Sequence, residues 1–309
     1  MSEDDYLRLS VHLDMFMRWA DRVPQELEFH FVQWTPVIIV PRIEALTRAE
    51  AGIAYFLSPL HSQLSAITIQ ILWKTDQIVR SLCTALNERQ LIVAAGMARS
   101  LIESSSAFCV EAHQIMTLWR TRKLEPASDA ESLAQFESAV LERVGQILFG
   151  TKIKVKDEPA TGIERTNILT LLKAATKLSE QPWIPKIYEL LCDTVHPSIG
   201  SNRCFWVDEG VEDQPNVYTY RADRHATRIL GDLPFAIGMG SLWSLVWLGQ
   251  TWVQFELLLK DVCLTAKIFE LVSEGFGIVH PTQADDYCSC GAGRLSKDCP
   301  HQFAELAAA

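Results

Sequence analysis

Positive charge is scarce in this chain. Its 28 lysines and arginines face 38 aspartates and glutamates, for a net charge of -10. Such an acidic chain has no overall electrostatic pull toward nucleic acid or anionic lipid. The opening stretch, MSEDDYLRLS, has neither a basic segment nor an apolar one, so no secretory leader is expected. Cysteine is thin through the body, where Cys83, Cys109, Cys192, Cys204 and Cys263 lie scattered in apolar helical surroundings. Cysteines placed like this suit reduced core positions and a cytoplasmic protein. Several catalytic signatures are also missing. The sequence has no Gly-x-x-x-x-Gly-Lys, no Gly-x-Gly-x-x-Gly after a strand, no Gly-x-Ser-x-Gly and no His-Glu-x-x-His.

What is present is apolar and helical. Hydrophobic residues make up 48% of the chain and charged residues 21%, enough for a sizeable core. Residues 233–255 carry no formal charge and are long enough to span a bilayer. They also hold Gln250, Thr251, Gln254, two serines and three glycines, with no flanking basic cluster. A buried core helix and no membrane association is therefore the expected reading.

Apolar periodicity and capping signals predict a mostly α protein. A helix is expected over 4–20. Ser58-Pro59 reads as a helix start, with the run continuing to about Leu86. Asn87 reads as the cap of a helix over 88–122. SDAE at Ser128 and TGIE at Thr161 are capping-box patterns that open helices over 129–149 and 162–180. A helix over 183–195 should stop before Pro197. Residues 200–220 read as a loop with a short strand pair, followed by helical blocks over 221–248 and 250–274. Gly275, Gly277 and Pro281 mark a linker. The expected organisation is a helical-bundle domain over 1–274, with an N-terminal subregion at 1–57, a linker at 275–287 and a small unit at 288–303.

That last unit contains CSCGAGRLSKDCPH, from Cys288 to His301. Cys288, Cys290, Cys299 and His301 form a Cys-x-Cys…Cys-x-His set of soft ligands, which suits tetrahedral Zn2+. Gly291 and Gly293 follow the first pair, where the chain must turn around the ion. So short a segment has no core of its own, and metal binding would supply its folding energy. The pattern resembles the SEC-C zinc motif, whose Cys-x-Cys-Gly-Ser-Gly-basic sequence is matched by Cys288, Cys290, Gly291, Gly293 and Arg294, with Cys299 as the third cysteine. Ala292 replaces the usual Ser, and Pro300 displaces the fourth ligand by one position. The resemblance implies a docking knob for proteins, ribosomes or nucleic acid. The low positive charge here favours a protein partner, with RNA as the second class.

In the body, Arg99 and Glu103 are four apart and share a helix face, with Ser106 close to it. His196 falls at a helix C-terminus with Asp193 within a turn. One reading is a solvated ion pair, worth about a few tenths of a kcal/mol, and a C-cap histidine. The other gathers Arg99, Glu103 and His196 into one polar pocket between helices. Glu111-x-His113 reads as incidental. Trp243, Trp247 and Trp252 read as core or as a homodimer interface.

The fragments ARSLIESSSAFCVEAHQIM and YELLCDTVHPSIGS together resemble an uncharacterised bacterial helical family related to the HEPN superfamily. That resemblance implies a helical bundle, and either a ribonuclease of toxin or phage-defence type or an inactive binding scaffold. The nuclease signature is Arg, four to six residues, then His. No histidine of the helical body carries it, and Arg294 with His301 fits only by using an expected zinc ligand. Two functions stay open. One is a zinc-binding scaffold or regulator that docks a partner. The other is a ribonuclease using Arg99, Glu103 and His196, which requires those side chains within about 8 Å of one another.

Overall fold

A computed structural model describes residues 2–23, 48–121, 130–149, 166–197, 201, 206–207, 219–220 and 232–265. Among them are seven helices: α1 (Glu3–Arg22), α2 (Arg48–Asn87), α3 (Leu91–Thr121), α4 (Ala130–Phe149), α5 (Ile168–Ser179), α6 (Ile184–Val195) and α7 (Leu233–Thr265). Strands β1 (Trp206–Val207) and β2 (Thr219–Tyr220) pair antiparallel within the stretch expected to be a loop with a short strand pair. The linker and the segment from Cys288 to His301 lie outside the described residues.

The helices form a bundle around α3, which packs against α2, α4, α5, α6 and α7. α7 is apolar nearly all round, so it has little solvent face to offer and most of it lies in the core. Trp252 and Phe255 on it are fully buried, against Trp19 of α1 at 6.1 Å and Phe108 of α3 at 5.6 Å between ring centroids. Among the described residues no helix is long and apolar enough to cross a membrane. Trp243 is buried with Trp252, and its ring lies 5.1 Å from that of Trp247.

Gly240 sets how closely α7 approaches. A β-carbon built there would stand 3.0 Å from Ile102 Cδ1 on α3 and 3.2 Å from Ile187 Cγ2 on α6. The missing side chain therefore holds three helices together at one point.

Four boundaries differ from the sequence reading. α2 begins at Arg48 and runs straight through Ser58-Pro59. The apolar stripe Leu57, Leu60, Leu64 and Ile67 is buried on both sides of the proline, and this tertiary burial outweighs the ~3 kcal/mol an interior proline costs. Asn87 ends α2 rather than capping α3. The turn is closed by Arg89 in the left-handed region (φ 57°), with Gln90 N–H donating to the Ala85 carbonyl at 2.7 Å. α5 starts at Ile168, because Asn167 accepts from the Leu169 N–H at 2.9 Å and Thr166 is not helical. Residues 248–250 do not break the last helix, which is continuous from Leu233 to Thr265. At α1 the structure adds a capping box, Ser2 with Asp5, that the sequence reading did not use.

Candidate functional site

Two helix faces meet at the site. Arg99 and Glu103 are one turn apart on α3, and Tyr188 and Cys192 are one turn apart on α6. α6 ends at His196, whose backbone is extended (ψ 152°) because the following Pro197 disfavours helix. Its N–H still donates to the Cys192 carbonyl at 3.0 Å, so the ring projects from the last turn.

The side chains form one connected chain. Arg99 Nε donates to Glu103 Oε1 at 2.9 Å, and Tyr188 Oη donates to the same oxygen at 2.8 Å. Arg99 Nη1 lies 3.0 Å from His196 Nε2. Its guanidinium carbon sits 5.7 Å from the centre of the Tyr188 ring, within cation–π range. The structure thus brings Arg99, Glu103 and His196 together and adds Tyr188. It does not add Ser106, which is fully buried and makes no hydrogen bond to the cluster, and Asp193 is exposed one turn back.

Burial grades the cluster. Arg99 and Glu103 are 24% and 26% exposed, Tyr188 is buried, and His196 faces solvent. Burial, reinforced by its bond to Glu103, raises Tyr188, so the phenol keeps its proton. Burial also raises the half-buried Cys192 despite the nearby Arg99 charge, leaving a thiol and no ready nucleophile. For Arg99, burial opposes the charge, but the bond to Glu103, the adjacent Tyr188 side chain and the Glu103 charge outweigh it.

The geometry fixes the histidine tautomer. A guanidinium can only donate, so Nε2 must be the acceptor and Nδ1 carries the proton. The lone pair that a general base would use is already engaged.

A second polar feature lies further along α3. Glu111, which reads as incidental in the sequence, is buried on the wall of a cavity of about 280 Å³ between α2, α3, α4 and α5. Its only sequence signal is its helical spacing from Ser104 and Phe108, which line the same cavity.

Cys288, Cys290, Cys299 and His301 lie outside the described residues. Among the described residues no group of three or more potential ligands is placed to hold a metal. Comparison with protein-family models, with curated proteins and with solved structures finds no match.

Proposed function

We propose that this chain is a zinc-binding helical scaffold or regulator, cytoplasmic and bacterial, that docks a protein partner through its C-terminal knuckle. Cys288, Cys290, Cys299 and His301 would hold one Zn2+, and the metal would fold the knuckle that the partner reads. One observation favours a scaffold over an enzyme. In the cluster that looks most like an active site, the His196 lone pair accepts from Arg99 and the Glu103 oxygen accepts from Arg99 and Tyr188. Groups spent on one another pin α6 to α3. A role in stress or phage defence follows from the HEPN-like resemblance alone. The test is metal content: about one zinc per chain, lost in a Cys288→Ser/Cys290→Ser variant, is expected. Metal-free protein, freshly purified and reduced, would remove the reading.

A second reading has its own support, the meeting of Arg99, Glu103 and His196 across 97 residues of sequence. As a ribonuclease, the chain would turn Arg99 toward a substrate phosphodiester. That would free His196 Nε2 to take the 2′-hydroxyl proton as the 2′-oxygen attacks phosphorus, while the P–O5′ bond breaks to leave a 2′,3′-cyclic phosphate and the departing 5′-oxygen takes a proton from water. Single-stranded RNA incubated with the protein would then be cut, and Arg99→Ala and His196→Ala would each abolish cutting. Uncut RNA rules this reading out.

A further inference from the structure

Glu111 carries a buried carboxylate oxygen, Oε2, without a hydrogen bond. The residue is 5% exposed, and among the described residues neither oxygen accepts from a donor. Its ion-pair partner, Arg143, stands with Nη1 at 3.7 Å from Oε2, outside hydrogen-bond range. Few buried acceptors in native proteins are left this way, and each asks for a reason. Burial raises the Glu111 carboxyl, with Arg143 opposing and Glu142 reinforcing.

The cavity supplies a reason. Ile71, Phe108 and Leu171 give it apolar walls, and Glu111, Gln146 and Lys74 give it polar ones. Gln146 Oε1 is already committed, since it accepts from the Thr166 N–H at 3.3 Å and hydroxyl at 3.2 Å. What Gln146 has left is its NH2, a donor. The polar walls therefore offer an unfilled acceptor at Glu111 Oε2 and a donor at the Gln146 NH2 group. At about 280 Å³ the space suits one ring system and no polymer.

We propose that this cavity binds a small neutral nitrogen heterocycle, with two adjacent N–H donors on the Glu111 carboxylate and a ring carbonyl toward the donor side. Neutrality follows from the surroundings. A cationic amidine or guanidine has the same paired donors, but the Glu111 charge is already paired with Arg143, whose guanidinium lies 3.7 Å from Oε2 and would repel a second cation. The site uses no residue of the Arg99 cluster and none of the proposed zinc site, so it stands or falls on its own.

The test is calorimetric titration with isocytosine, a neutral ring whose NH2 and ring N–H are adjacent donors and whose carbonyl lies elsewhere on the ring. The wild-type protein should bind one equivalent saturably. Glu111→Gln keeps the volume and should weaken binding at least tenfold. Ala107→Phe, which fills the cavity, should abolish it. Thermal melts show whether each variant is folded, and if Ala107→Phe is not, Glu111→Gln decides. No saturable binding to the wild type at millimolar isocytosine overturns the site. Equal binding by folded Glu111→Gln overturns the role of the carboxylate. Benzamidine, the cationic counterpart, should not compete, and tighter binding than isocytosine would overturn the neutral class.

Discussion

Glu103 and Glu111 sit two turns apart on α3 and live opposite lives. Glu103 is a quarter exposed and accepts from Arg99 and Tyr188, whereas Glu111 is buried and accepts from nothing among the described residues. The more solvated carboxylate is the better satisfied one. Burial therefore does not mark a structural carboxylate in this bundle, and the state of its hydrogen bonds does. A spent group locks helices together, and an unspent one in a cavity wall is a group that lacks a partner.

The largest effect expected comes from another buried group with an unfilled hydrogen bond. His61 on α2 is 2% exposed, its Nε2 has no partner, and burial lowers it from 6.5 to about 4. Its folded value lies below its unfolded value, so the native state binds fewer protons between the two. Stability is then full above 6.5 and falls as pH drops toward about 4, by up to ~3 kcal/mol. Denaturant titrations across this range should show the slope, and His61→Leu should flatten it. Glu111 works the other way. It is raised above 4.5, so its contribution is lost as pH climbs from there through the folded value, and the His61→Leu protein should reveal that weaker opposite slope.

Next in size is the satisfied glutamate. Glu103→Ala strands Arg99 and the Tyr188 hydroxyl together, and should cost about 2 kcal/mol in urea unfolding. Tyr188→Phe removes only one donor and should cost about 1 kcal/mol. Smallest, and of opposite sign, Glu111→Leu should leave stability unchanged or raise it by up to ~1 kcal/mol, because it deletes a buried acceptor that nothing satisfies. A loss from Glu111→Leu as large as that from Glu103→Ala would erase the contrast between them.

The sequence made the Arg99 cluster partly legible. A one-turn spacing put Arg99 with Glu103, and Pro197 stopped α6 so that His196 stood at its end. Tyr188 was missed, although it lies two turns before His196 on one helix stripe, because its partner Glu103 is 85 residues away. Glu111 was missed for a similar reason. Its burial depends on α2, α4 and α5 closing over it, and no local pattern encodes that. Local rules also misplaced Pro59 and Asn87, where the apolar stripe of a 40-residue helix and a left-handed Arg89 decide the boundaries. The broad architecture was plain because long apolar periodicities over a helix are redundant signals, each residue repeating the same message.

The claim on which the scaffold reading turns is that the Arg99 cluster is a pin and no poised catalytic centre. Nitrogen-15 NMR of the neutral His196 ring reads this directly. A proton on Nδ1, with Nε2 accepting and the signal moved by Arg99→Ala, is the predicted result. A proton on Nε2, or a tautomer mixture that ignores Arg99→Ala, would contradict it and leave the histidine free to serve as a base.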